Sequence, residues 1–217
     1  MLVFMTRATN AQAVLVDRFH KVLISPYIQV TFVQGDKESV TINQIIVDTS
    51  KLHVEVHGGT LRLYLDGAKG IPHNQQDYTS DGNRQSHHLY PNHAVIATVV
   101  YRRLDALSLR GTETYILRSP LSADKFTLRV YGESTVIFTE AHISKMYTTI
   151  YGEGKINTTA IAGQAAKVTA FGEAEFRVNV SDRIKITAFG EAKLRYMGNP
   201  AIVKGIHIGE VDLQKLE

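Results

Sequence analysis

The chain has 217 residues, 44% hydrophobic and 21% charged, which excludes a disordered polymer and supplies enough apolar residues for a core of its own. It contains no cysteine, so disulfides, zinc-thiolate sites and cysteine nucleophiles are excluded. A net charge of +3 with no run of Lys/Arg argues against nucleic acid as a partner, and no stretch of about eighteen apolar residues is present to span a membrane.

The first thirteen residues, Met1–Ala13, end in Ala11-Gln12-Ala13, the small-x-small pattern of a signal-peptidase site. They lack a basic start and a full apolar segment, which leaves two readings open: the stub of a secretory signal, or an ordinary N-terminal tail. Strand-like runs follow at 22–33, 39–47, 52–56 and 60–65, separated by the turn signals Gly35-Asp36-Lys37 and Gly58-Gly59. Residues 66–93 are polar and rich in Gly, Asn and Gln, without periodicity, the marks of a long loop. A strong β run, 94–101, returns to the core. Residues 14–101 therefore read as an irregular N-terminal β cap carrying the loop 66–93.

From residue 102 to 215 the chain repeats. Gly111, Gly132, Gly152, Gly172, Gly190 and Gly209 recur after 21, 20, 20, 18 and 19 residues. Before these glycines apolar and polar residues alternate: Phe126, Leu128 and Val130 against Thr127, Arg129 and Tyr131; Ile184, Ile186 and Ala188 against Lys185, Thr187 and Phe189. Period two means one face buried and one face wet. A unit of about twenty residues cannot bury its own inward face, and stacking identical units at about 4.8 Å solves this. The predicted fold is all-β, a right-handed parallel β-helix (β-solenoid) whose recurring glycine marks a vertical column of backbone bends. An antiparallel sandwich is the alternative, disfavoured because whole units repeat.

The turn Gln34–Ile42 (QGDKESVTI), the hairpin Gly58–Leu65 (GGTLRLYL), the repeated Val-x-x-x-Gly coils and the closing Met197–Ile206 (MGNPAIVKGI) resemble the auto-transporter adhesin head domain family, the GIN domain. The resemblance covers about residues 20–215. The family's coil turn, Ser-Gly-Ser-Gly-Asp, is replaced here by Tyr/Phe-Gly-Glu, with Gly152-Glu-Gly154 the nearest copy. The resemblance implies a β-helical bacterial protein exported to the periplasm, outer membrane or cell surface; the partner expected for its outer face is a polysaccharide, a surface protein or another copy of the chain.

Two ladders are the candidate ligand or partner surface. Glu133, Glu153, Glu173 and Glu191, with Glu210 after them, each follow a repeat glycine, so stacking places carboxylates one coil apart. Such a column suits Ca²⁺ or, more simply, a solvated edge balanced by Lys155, Arg177, Lys193 and Arg195. Tyr131, Tyr151, Phe171 and Phe189 precede the same glycines, with Arg110 ahead of them. Their parity puts them outside, as a surface for sugar rings or for a partner chain. Four histidines of the polar loop, His73, His87, His88 and His93, lie near Asp77 and Asp81 but without metal-ligand spacing. No nucleophile elbow, phosphate loop, dinucleotide fingerprint or metalloprotease motif is present. The expectation is a non-enzymatic protein with no cofactor and no metal. Its rivals are a periplasmic scaffold and a polysaccharide-active enzyme.

Overall fold

A computed structural model describes residues 13–70, 75–78 and 84–216. Sixteen strands and one 3-10 turn make up these residues. Fourteen of the strands form one sheet that curls into a β-solenoid of about five turns, as the glycine spacing predicts.

Two sides of each coil are long. The first side stacks β6 (Thr60–Leu65), β2 (Lys21–Ile24), β10 (Ala106–Arg110) and the end of β12 (Leu121–Tyr131), all parallel and in register. The second side stacks β9 (Val95–Tyr101), β3 (Ile28–Gln34), β11 (Thr114–Leu117) and β13 (Thr135–Phe138), again parallel. A short third side pairs Leu121–Ala123 with Ala141–Ile143. Beyond this point the backbone is extended without a break through β14 (Ala141–Met197), which winds through successive coils. The last coil is β15 (Ala201–Ile208) and β16 (Val211–Lys215), each parallel to β14.

The alternation in sequence becomes the core. Val22, Leu61, Leu107 and Leu128 fill one inward row, and Ile24, Leu63, Leu109, Val130, Ile150, Ala170 and Ala188 another, all at most 2% exposed. On the second side Phe32, Val99, Tyr115, Val136, Ile156, Phe176 and Leu194 are the buried counterparts. A side chain of this size stabilises by about 1.5–3 kcal/mol when fully buried, so each coil is held chiefly by the coil beside it.

The N-terminal cap differs from the expectation in three ways. The run 22–33 is not one strand: it bends at Pro26-Tyr27, where Tyr27 has φ +70°. Proline lacks the N–H a continuing ladder would need, so the corner falls there. Spatial order also departs from chain order. β2 and β3 lie between β6/β9 on one side and β10/β11 on the other. Below them the stack is closed by antiparallel strands: β5 (Leu52–His57) on β6, β4 (Ser39–Ile45) on β9, and β1 (Ala13–Leu15) on β4. Antiparallel strands end the solenoid there because their register no longer continues the coil. The hairpin β5–β6 turns at Gly58 and Gly59, with φ +55° and +69°. The polar loop is not wholly irregular, since Gln75–Tyr78 (β7) and Arg84–His87 (β8) pair as a separate antiparallel hairpin.

Candidate functional site

Every repeat glycine stands at the corner between the first and second sides, with φ between +105° and +126°. Side chains avoid that conformation, and the stack forbids them there as well. A methyl group built on Gly172 would lie 2.5 Å from the carbonyl oxygen of Gly152, and Gly132, Gly190 and Gly209 would meet the glycine below in the same way. Alternation carries through the corner in phase, since Val130 and Ser134 are both buried. Tyr131 and Glu133 therefore both point outward, on either side of Gly132.

The aromatic residues form one outer column. Ring centroids are 5.0 Å apart for Tyr131–Tyr151, 4.8 Å for Tyr151–Phe171 and 5.0 Å for Phe171–Phe189, with planes within 5° of parallel. The Arg110 guanidinium lies over Tyr131 at 5.6 Å, and Ile208 stands in register with Phe189 at the other end. Parallel stacking has a chemical consequence for the expected sugar platform. The ring faces are turned to one another, so a ligand meets ring edges and the tyrosine hydroxyls. Tyr151 is the most open, at 41% exposed.

Glu133, Glu153, Glu173 and Glu191 are exposed on the other side of the corner. With Glu175, Lys155 and Lys193 they line a shallow groove of about 300 Å³. Among the described residues no three His, Asp or Glu side chains converge as a bound metal ion would require. The carboxylates are one per coil, whereas Ca²⁺ takes six to eight oxygens. The two arginines expected to balance this ladder pair with other carboxylates instead. Arg177 pairs with Glu175 at 3.1 Å, and Arg195 Nη1 lies 2.8 Å from Asp212, off the hydrogen-bonding direction.

The histidine cluster is not assembled in the described part of the loop. His73, Asp81 and the side chains of Asp77 and His87 lie outside the described residues. His88 is exposed with its ring edge-on to Tyr27, and His93 takes φ +55°.

Two features escape the sequence reading. Glu113 follows Gly111 by two residues instead of one, and it is buried at 2% exposed. Its carboxylate accepts from the backbone N–H of Tyr27 at 2.8 Å and of Thr112 at 2.9 Å. Burial pushes its pKa up, and these backbone donors pull it back in part. The second is a gathering of cations on the outer first side. Lys125, Arg129, Lys145, Lys167, Arg183 and Lys185 are all exposed there, and none forms an ion pair among the described residues. No Lys/Arg run exists in the sequence because each coil contributes only one or two. The signal was present in the repeated Lys167-Val-Thr-Ala-Phe171 and Lys185-Ile-Thr-Ala-Phe189.

Among the described residues no helix is long and apolar enough to cross a membrane. No curated protein matches the chain. Solved structures with the same fold include a protein described as a putative adhesin from Bacteroides fragilis, 15% identical, with a TM-score of 0.70 over 95% of this chain and 96% of that one. A second, also described as a putative adhesin, from Parabacteroides merdae, is 15% identical with a TM-score of 0.57 over 95% of each chain. Identities this low speak for the fold alone. The family described as "Putative auto-transporter adhesin, head GIN domain" matches residues 18–146 and 134–200. With nearly the whole solenoid covered by that match, the chain belongs to the auto-transporter adhesin head GIN domain family.

Proposed function

We propose that this protein is a non-enzymatic, exported β-solenoid of the cell envelope or surface that binds an extracellular polymer or protein through its outer corner. The observation that carries this reading is the pair of outward columns flanking the glycines. Four stacked rings and four exposed carboxylates repeat at the coil spacing, and an extended partner running along the axis would meet the same chemistry at every coil. A fold shared with proteins described as adhesins agrees with this but does not supply the function. Among the described residues the acids of this corner form a periodic edge, whereas a glycosidase needs a carboxylate pair opposed across a cleft.

Protease shaving of intact cells tests the location. Loss of the chain from unbroken cells, with binding to glycan or matrix surfaces that weakens in a Tyr151→Ala/Phe171→Ala variant, is the expected result. Recovery in the cytoplasm, or turnover of a polysaccharide by the purified chain, would overturn it.

A second reading, self-association, is favoured by one feature of the last coil. Ile206 and Ile208 are 71% and 68% exposed on β15, the final strand of the first side. A molar mass by light scattering that stays monomeric across concentration would remove that reading.

A further inference from the structure

We propose that the outer first side of the solenoid binds an acidic polysaccharide laid along the solenoid axis. This rests on the polymer-binding reading above and names both the polymer's chemistry and the face that holds it.

The face is a grid. Counting back from the aromatic column, the residues two positions earlier are Arg129, Thr149, Thr169 and Thr187, and those four positions earlier are Thr127, Tyr147, Lys167 and Lys185. Six positions earlier stand Lys125, Lys145 and Arg183. Each coil thus offers at least one exposed cation, a hydroxyl-bearing or ring side chain beside it, and an aromatic edge at the border. Lys125 sits 5.0 Å over the ring of Tyr147.

Charge decides which polymer fits. The arginines on the far side of the glycine corner have carboxylate partners: Arg177 has Glu175 and Arg195 has Asp212. Lys155 and Lys193 share their groove with the exposed glutamates, whereas the six cations of the grid have no carboxylate partner among the described residues. Exposed carboxylates near this face are Asp124 and Asp182 at its entering edge, while Asp105 is paired with Arg103. A row of uncompensated positive charges repels itself and attracts a polyanion. Its repeat is the inter-strand spacing, about 4.8 Å, so a periodic extended polyanion lying along the axis meets a cation at every coil. The threonine hydroxyls can donate to and accept from sugar hydroxyls, which a bare phosphate or sulfate lattice would not require.

The test uses the full chain with three probes: polygalacturonate, neutral dextran and duplex DNA. Affinity is measured calorimetrically between about 50 and 200 mM salt. Expected are binding of polygalacturonate that falls as salt rises, and a roughly tenfold loss in Lys145→Gln/Lys167→Gln, whose exposed positions leave thermal unfolding unchanged. Lys37→Gln, an exposed cation on the turn between β3 and β4 and away from the grid, keeps full affinity. Equal binding of dextran, equal or tighter binding of DNA, or an unaffected lysine variant would each overturn the proposal. If dextran or a protein ligand binds in a Tyr151-dependent manner while polygalacturonate does not, this inference fails and the polymer-binding reading stands.

Discussion

The backbone amide of Tyr27 donates to the carboxylate of Glu113, 86 residues later, at 2.8 Å inside the protein. Tyr27 lies at the corner of the β2–β3 coil and Glu113 just past the Gly111 corner of the next, so one side chain ties the N-terminal cap to the first repeat. Removing it in Glu113→Ala leaves a buried N–H without an acceptor and should cost about 1–3 kcal/mol in denaturant unfolding. A variant as stable as the parent would mean that the tie contributes nothing.

The same carboxyl has a pH signature. Its pKa is raised above the ordinary 4.5 by burial. A group whose folded pKa is raised stabilises the fold below its unfolded pKa, and that contribution is lost as pH rises through the folded value. Relative to Glu113→Gln, the parent should therefore lose stability on going upward from about pH 4.5. The check is the difference in unfolding free energy between the two proteins across that range. A loss on going downward would contradict it.

Gly172→Ala should be among the most damaging single changes. It combines a φ of +115° with a methyl group 2.5 Å from the Gly152 carbonyl, and backbone strain plus overpacking predict a loss of about 3 kcal/mol or more. Gly58→Asn, at a hairpin φ of +55° with nothing within 4 Å, should cost less than about 1 kcal/mol. Thermal unfolding of the pair would show the ranking directly, and equal effects would refute the column argument.

Phe171 is stacked between Tyr151 and Phe189, whereas Tyr131 has a ring on one side only. Each stacked pair is worth about 0.5–1.5 kcal/mol beyond its burial. A double-mutant cycle on Tyr151 and Phe171 should return a coupling in that range. Additive losses would mean that the rings are neighbours without attraction.

Tyr101 is fully buried and its hydroxyl has no hydrogen-bond partner among the described residues, while burial pushes its pKa up to about 12. Tyr101→Phe removes a desolvated polar atom and keeps the ring, so it should be neutral or stabilising by up to about 1 kcal/mol. A clear loss in chemical denaturation would reveal a partner for the hydroxyl.

Much of this molecule was legible in its sequence because stacking makes each coil restate the same physical constraint. Gly132, Gly152 and Gly172 recur since one residue type satisfies both the backbone angle and the close approach. Val130 and Tyr131 alternate because one faces the core. Legibility ended where a position met its constraint by another means. Pro26-Tyr27 turns a corner without glycine, so the β2–β3 coil did not announce itself. Glu113 fills a slot that Ser134, Gly154, Ala174 and Ala192 leave small, and because it follows Gly111 by two residues instead of one it fell outside the ladder pattern. The grid of cations was legible only in part: Lys167 and Lys185 hold the same place in successive repeats, but Lys145 and Lys125 stand two positions outside that row, and only the coil brings all of them to one face.

The interleaving of β2 and β3 between later strands fixes an order of construction. One surface of that coil is covered by residues 60–65 and 95–101, and its opposite surface by residues 106–117. The floor is therefore complete only once Tyr101 has been delivered, and every coil after it can be laid on a finished surface in the sequence in which it emerges. A truncation after Met197 should leave a shorter tower, whereas deleting Lys21–Gln34 removes the storey on which all the others stand.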